Sequence, residues 1–287
     1  MLGQDLRPRL ERAGFQVFGL DVIGSAPAHL DITRAEKILP LFKNLAPALV
    51  INCAAYTAVD RAESAPDLAQ AVNQGGAGHL ADACRDLGIP LLHLSTDYVF
   101  DGQSRLPYRE DDPVNPLNVY GLTKWQGEEA IRSRLAAHLI VRTSWLYGVH
   151  GQNFVKTILR LAPEKEELRV VADQCGCPTW TGDLAEALIV MARRIRDGRD
   201  AINWGTYHFC GAGWTTWHGF AQAIVQEAQR RDVRVLPITT PDYPTPARRP
   251  GWSVLDCQKI GVFFNITPRP WREGLADMLR ELFTRGP

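Results

Sequence analysis

Neither sign of charge is in excess in this chain: 32 Lys and Arg oppose 32 Asp and Glu over 287 residues, and the formal net charge is zero. A protein so balanced has no sequence-wide electrostatic footprint for nucleic acid or for an anionic membrane surface. Long apolar runs are missing as well. The longest, such as Leu184 to Ala192, are too short and too interrupted to span a bilayer, and no signal peptide precedes the first expected helix. The six cysteines, Cys53, Cys84, Cys175, Cys177, Cys210 and Cys257, lack the paired spacing of a zinc site or a small disulfide scaffold. They read as reduced, mostly buried small hydrophobes of a cytoplasmic protein. No repeat or low-complexity segment is visible. What remains is a chain long enough to bury a substantial core, as one large α/β domain or as two lobes.

The stretch that carries chemistry is residues 118–128, Asn-Val-Tyr-Gly-Leu-Thr-Lys-Trp-Gln-Gly-Glu. Tyr120 and Lys124 stand one turn apart on one face of a helix. A free phenol has a pKa of roughly 10, and a neighbouring ammonium favours its anion and brings it towards working range. The lysine can also hold a ribose hydroxyl. Upstream, the apolar run Ile89 to Leu94 reads as a buried strand ending at Ser95, Thr96 and Asp97, where a parallel sheet delivers polar side chains to a ligand. Thr96 would hydrogen-bond the substrate oxygen that Tyr120 protonates. A Y-x-x-x-K pattern alone occurs on many exposed helices and carries little information.

The strings S-T-D-Y-V-F-D-G, residues 95–102, and N-V-Y-G-L-T-K-W-Q-G-E together resemble the extended short-chain dehydrogenase/reductase superfamily, and within it the dTDP-4-dehydrorhamnose reductase family. Further strings at 52–63, 173–179 and 249–256 extend the resemblance over nearly the whole chain. It implies an α/β fold, a Rossmann-type doubly wound parallel sheet with a smaller C-terminal α/β substrate-binding lobe. Residues 1–150 would form the NAD(P)-binding lobe and 151–287 mainly the substrate lobe, with some segments returning to the first.

The implied activity is reduction of the C4 ketone of dTDP-4-dehydro-L-rhamnose by NADPH or NADH, with Thr96, Tyr120 and Lys124 as catalytic residues. The cofactor would lie along Gly3, Gln4, Asp21, Asp31, Ile32, Ala54, Ala55, Tyr56, Tyr120 and Lys124. Asp21 would meet the adenosine ribose or else cap a turn, and the small Ala54 and Ala55 would let the cofactor lie against the backbone. The substrate would meet Thr96, Asp97, Tyr98, Trp145, Asn153 and Arg249. Trp145 would offer a flat face to the deoxysugar, with core packing as its alternative, and Arg249 a planar fork to the diphosphate. Arg142 and Thr143 would sit near the nicotinamide, while Asp60 and Glu63 read as local architecture. His208 reads as a packed structural histidine.

At its start the chain departs from the family. Met1 to Leu6 resembles only the end of the glycine fingerprint, with Gly3 as its last glycine. A mis-assigned start or a truncated chain accounts for this better than a natural short form, and a true short form would weaken cofactor binding. The glycines at Gly75 and Gly76 weaken the helix expected over 67–87. The resemblance allows a homodimer and a bridging divalent ion such as Mg2+, for which no residues are indicated. Two other readings stand beside the reductase: an epimerase, dehydratase or reductase for another nucleotide sugar, and a non-catalytic subunit of the kind that regulates methionine adenosyltransferase.

Overall fold

The computed structural model describes residues 1–22, 28–198, 202–230 and 232–284. In chain order its helices and strands are α1 (Leu2–Arg12), β1 (Leu20–Asp21), β2 (Ala28–His29), α2 (Ala35–Leu45), β3 (Val50–Asn52), α3 (Val59–Ser64), α4 (Pro66–Gln70), α5 (Ala77–Leu87), β4 (Leu91–Thr96) and α6 (Val119–Arg132). There follow β5 (His138–Thr143), β6 (Leu146–Tyr147), α7 (Phe154–Leu161), β7 (Glu167–Val171), β8 (Cys175–Gly176), β9 (Thr179–Trp180), α8 (Thr181–Asp197), β10 (Gly205–His208), β11 (Thr215–Thr216), α9 (Trp217–Glu227), β12 (Arg234–Ile238), α10 (Gln258–Phe264) and α11 (Trp271–Thr284).

Strands buried on both faces read as near-continuous apolar runs, and β4 and β5 are of this kind. With β3 and β10 they form a parallel sheet in the order β10-β5-β4-β3. One face packs Leu92, Leu139 and Val141 against α1, α8 and α10. The other packs Leu91 and Ile140 against α2, α5 and α6. A second core gathers residues of α7, α9, α11 and β7 around Phe220 and Leu275. Here β7 and β12 pair in parallel, outside the main sheet. No helix among the described residues is long and apolar enough to cross a membrane.

Two expectations need correction. The sequence predicts a strand over 15–20, and Phe15 and Val17 are indeed more buried than Gln16 and Phe18. Only Leu20–Asp21 joins a ladder, however, and its partner is β2. Alternation does not make a strand without a neighbour to complete the hydrogen bonds. The helix expected over 67–87 is broken by a π-helical turn, Ala71–Gly76, between α4 and α5. Gly76 belongs there because a Cβ would lie 2.6 Å from Ile32 side-chain carbons.

Candidate active site

β4 ends at Thr96, whose hydroxyl accepts from the Tyr98 N–H at 3.2 Å and so starts the short turn Asp97–Val99. The single hydroxyl proton goes to Asp97 Oδ1 at 3.0 Å. The Tyr120 phenol lies beside this hydroxyl, near enough for Thr96 to favour its anion. Helix α6 delivers Tyr120 to this point. Asn118 caps the helix by accepting from Gly121 N at 2.8 Å, and its amide donates to Arg248 O at 2.8 Å. Glu63 of α3 accepts from Val119 N at 2.9 Å. The glycines of α6 set how close the helix lies: a Cβ on Gly121 would overlap the Tyr98 carbonyl oxygen, and one on Gly127 would overlap that of Asn73. The Tyr98 ring stands edge-on to Tyr120 with centroids 5.8 Å apart. Arg249 donates to Tyr98 OH at 3.4 Å and to Asp60 Oδ2 at 2.7 Å.

The charges are shaped chiefly by burial. Burial raises the Tyr120 pKa above its ordinary value; the Thr96 hydrogen bond opposes the rise, while Asp97 and Tyr98 add to it. Tyr120 therefore holds its proton at neutral pH. Lys124, 2% exposed, is pushed down to about 8 by burial, against Glu128 and Cys53. Its Nζ donates to Leu94 O at 2.6 Å and meets His93 Nε2 at 3.2 Å. The expected depression of the Tyr120 pKa by Lys124 is thus not found: the field of Lys124 falls on His93 and Cys53 instead. Burial pushes Asp97 up to about 7, against hydrogen bonding by Ser253 and Thr96. Its Oδ2 has no well-formed partner among the described residues, although the Ser253 hydroxyl is near enough to favour the anion.

Other residues fall in varied places. Ala54 and Ala55 leave the backbone after β3 open, with Ala54 exposed. Tyr56 N donates to Asn73 Oδ1 at 2.8 Å. The Tyr56 hydroxyl and the Thr143 hydroxyl are buried without a hydrogen-bond partner among the described residues, and Thr143 lies alongside Thr96 in the sheet. Buried polar groups are normally paired. An orphan Tyr56 hydroxyl next in sequence to bare alanines after β3, and an orphan Thr143 hydroxyl at the C-terminal end of β5, fit the ribose and amide-bearing ring of a nicotinamide cofactor.

Arg142 directly precedes Thr143 on β5, but its side chain is engaged elsewhere. Its Nε and Nη2 hold the buried Glu128 carboxylate at 3.0 and 2.8 Å, so it braces β5 against α6. His208 is packed as expected, fully buried with Nδ1 3.1 Å from Tyr108 O; burial first and Arg142 second take its pKa down to about 3. Gly3 and Gln4 are exposed in the first turn of α1, and Asp21 is exposed at the end of β1. Asp31 accepts from the Thr33 hydroxyl and N–H at 2.7 and 2.9 Å, which holds its pKa low. Ile32 is buried under the π-helical turn. Asn153 is spent as the cap of α7, accepting from Lys156 N at 3.2 Å and donating to Gly148 O at 2.7 Å. Trp145, at φ 44°, stacks on Trp217 with centroids 3.5 Å apart. No group of three or more His, Cys, Asp or Glu among the described residues is placed to hold a metal ion.

Thr96, Asp97, Tyr98, Tyr120, Lys124 and Arg249 thus come together. The sequence reading missed Asn52 and His93, although a polar residue inside an apolar strand run is itself a signal.

The RmlD substrate binding domain family matches residues 1–284. The chain is 43% identical over 286 residues to a dTDP-4-dehydrorhamnose reductase of Streptomyces griseus, covering 99% of this chain and 92% of that protein. It is 41% identical over 270 residues to that of Sinorhizobium fredii, covering 93% and 91%. Among solved structures, dTDP-4-dehydrorhamnose reductase from Bacillus anthracis in complex with NADP matches with a TM-score of 0.89 at 36% identity, over 98% of this chain and 95% of that one. A UDP-glucose 4-epimerase of Thermus thermophilus, at 22% identity and a TM-score of 0.81 over 100% and 96% of the two chains, shares the fold. This chain belongs to the dTDP-4-dehydrorhamnose reductase family.

Proposed function

We propose that this protein reduces the C4 ketone of dTDP-4-dehydro-L-rhamnose to dTDP-L-rhamnose, and that Thr96, Tyr120 and Lys124 carry the chemistry. The observation that carries the reading is the placing of the Tyr120 phenol beside Thr96 at the C-terminal edge of a parallel sheet, where the neighbouring Thr143 hydroxyl has no partner among the described residues. When bound, NADPH or NADH supplies the hydride. Tyr120 gives its proton to the ketone oxygen, and the raised pKa suits this direction because the phenol arrives charged with its proton. Thr96 holds the same oxygen in place. Lys124 holds the ribose, along Ala54, Ala55 and Tyr56, and Arg249 offers the N–H groups not taken by Asp60 to the sugar-nucleotide diphosphate. A carboxyl at Asp97 with a pKa of about 7 places less than a full negative charge beside the developing alkoxide at neutral pH.

A cofactor lobe over 1–150 and mainly a sugar-nucleotide lobe over 151–287, with segments such as β10 returning to the first, a cytoplasmic location and a homodimer belong to the same proposal. Asp21 is the residue on which NADH against NADPH would turn. A dehydratase would want a second carboxylate beside Thr96 and Asp97, where Tyr98 stands.

The test is turnover. The purified chain is mixed with NADPH, then with NADH, and with enzymatically generated dTDP-4-dehydro-L-rhamnose, and loss of nicotinamide absorbance is followed. Cofactor oxidation that requires the sugar supports the reading; none with either cofactor moves it to another nucleotide sugar.

A further inference from the structure

Two polar side chains lie inside the apolar sheet beside Lys124: Asn52 on β3, 5% exposed, and His93 on β4, 1% exposed. The backbone N–H of Ala54, which can only donate, is 3.0 Å from Asn52 Oδ1. That orientation turns the Asn52 NH2 group to His93 Nδ1, at 2.9 Å. An amide NH2 also only donates, so Nδ1 must be the bare, accepting nitrogen. A neutral imidazole with Nδ1 bare carries its proton on Nε2, and Nε2 faces Lys124 Nζ at 3.2 Å.

The Nε2 proton needs an acceptor. An ammonium has no lone pair, whereas an amine has one and still keeps hydrogens for Leu94 O at 2.6 Å. An imidazolium offers no way out, because its Nδ1–H would oppose the Asn52 amide, and burial disfavours it. The hydrogen-bond inventory closes only with Lys124 uncharged.

We propose that His93 is a positioning residue that donates its Nε2 proton to Lys124 and thereby favours the amine over the ammonium, with Asn52 and the Ala54 N–H fixing the imidazole tautomer. The ionisable groups facing Lys124 are Glu128 on its own helix, Cys53 just after β3 and His93 on β4. Glu128 favours the ammonium but is already matched by Arg142 and Arg132. Burial, partly offset by Glu128 and Cys53, brings Lys124 down to about 8; the His93 bond, made only by the amine, takes it further towards neutrality. Ala54, the first link, lies on the segment assigned to the cofactor, so the backbone there and the charge on Lys124 are coupled.

The direct test is 15N NMR of the full chain labelled at histidine, at pH 8.5, with His93 assigned by its loss in H93Q. The expected spectrum shows Nε2 protonated and Nδ1 bare; Nδ1 protonated and Nε2 bare would overturn the proposal. The second readout rests on the reductase reading, in which the ammonium is the working form and kcat/KM falls as pH rises through the Lys124 pKa. Gln at position 93 can accept from the ammonium, so H93Q should move that alkaline limb up by about one pH unit, the size of one hydrogen bond to a charged group. An unmoved limb would overturn the proposal. If H93Q fails to fold, the chemical shifts of the unaltered protein still decide the tautomer. If the chain does not turn over the sugar nucleotide, the NMR result stands independently of that failure.

Discussion

Asp97→Asn exchanges a buried carboxyl for an amide of the same shape, and its effect on stability should depend on pH. In the folded chain the Asp97 carboxyl keeps its proton up to about pH 7, against an ordinary value of 3.8, mainly because burial penalises the anion. In the unfolded chain the proton is lost near pH 4. Between those values the folded state binds more protons, so stability against unfolding falls as pH rises, and the full penalty is present above pH 7. A gap of about 3 pKa units corresponds to about 4 kcal/mol as a ceiling, and relaxation of the site brings the expected figure to about 2–4 kcal/mol. The asparagine retains an oxygen for the Thr96 hydroxyl and has no ionisation to penalise. Urea unfolding of both proteins at pH 4 and pH 8 measures the difference. The variant should gain about 2–4 kcal/mol relative to the parent on going from pH 4 to pH 8. A difference between the two proteins that is flat with pH would refute the claim that Asp97 is strained in its charged form.

Glu128→Gln leaves the 1% exposed Arg142 guanidinium short of its counter-charge and should cost about 3–5 kcal/mol in denaturant unfolding, with most of it recovered in Glu128→Gln/Arg142→Met. Gly121→Ala forces a Cβ onto the Tyr98 carbonyl; a loss of about 1–3 kcal/mol together with reduced turnover is expected, and unchanged turnover would show that the seating of α6 does not matter. Arg249→Ala should raise KM for the sugar nucleotide by roughly 10- to 100-fold, the range for charge-assisted hydrogen bonds, with kcat little changed; a fall in kcat alone would place Arg249 in the chemistry rather than in binding.

Local patterns made part of this site legible. The four-residue step from Tyr120 to Lys124 survives as one face of α6, and the apolar run into Ser95 and Thr96 survives as β4. Residues whose roles depend on partners on other elements were not legible. Arg142 spans to Glu128, and Lys124 meets His93 rather than acting on Tyr120. None of these pairings is a property of spacing. The strand expected over 15–20 failed for a similar reason, since a ladder needs a neighbour that the segment cannot supply from its own alternation. Glycines were visible as letters but not as contacts: Gly76, Gly121 and Gly127 make sense only once Ile32, Tyr98 and Asn73 are seen pressed against them.

Tyr120→Phe removes the phenol oxygen and nothing else from the Thr96–Tyr120 pair, so it tests proton donation by Tyr120 most directly. Turnover of dTDP-4-dehydro-L-rhamnose with NADPH and with NADH is measured for parent and variant, with circular dichroism to confirm that both are folded. A fall in kcat by a factor on the order of 10² to 10⁴, the range for general acid catalysis, is the expected result. Turnover of the variant at the parent's rate would contradict the account and place the proton donor elsewhere.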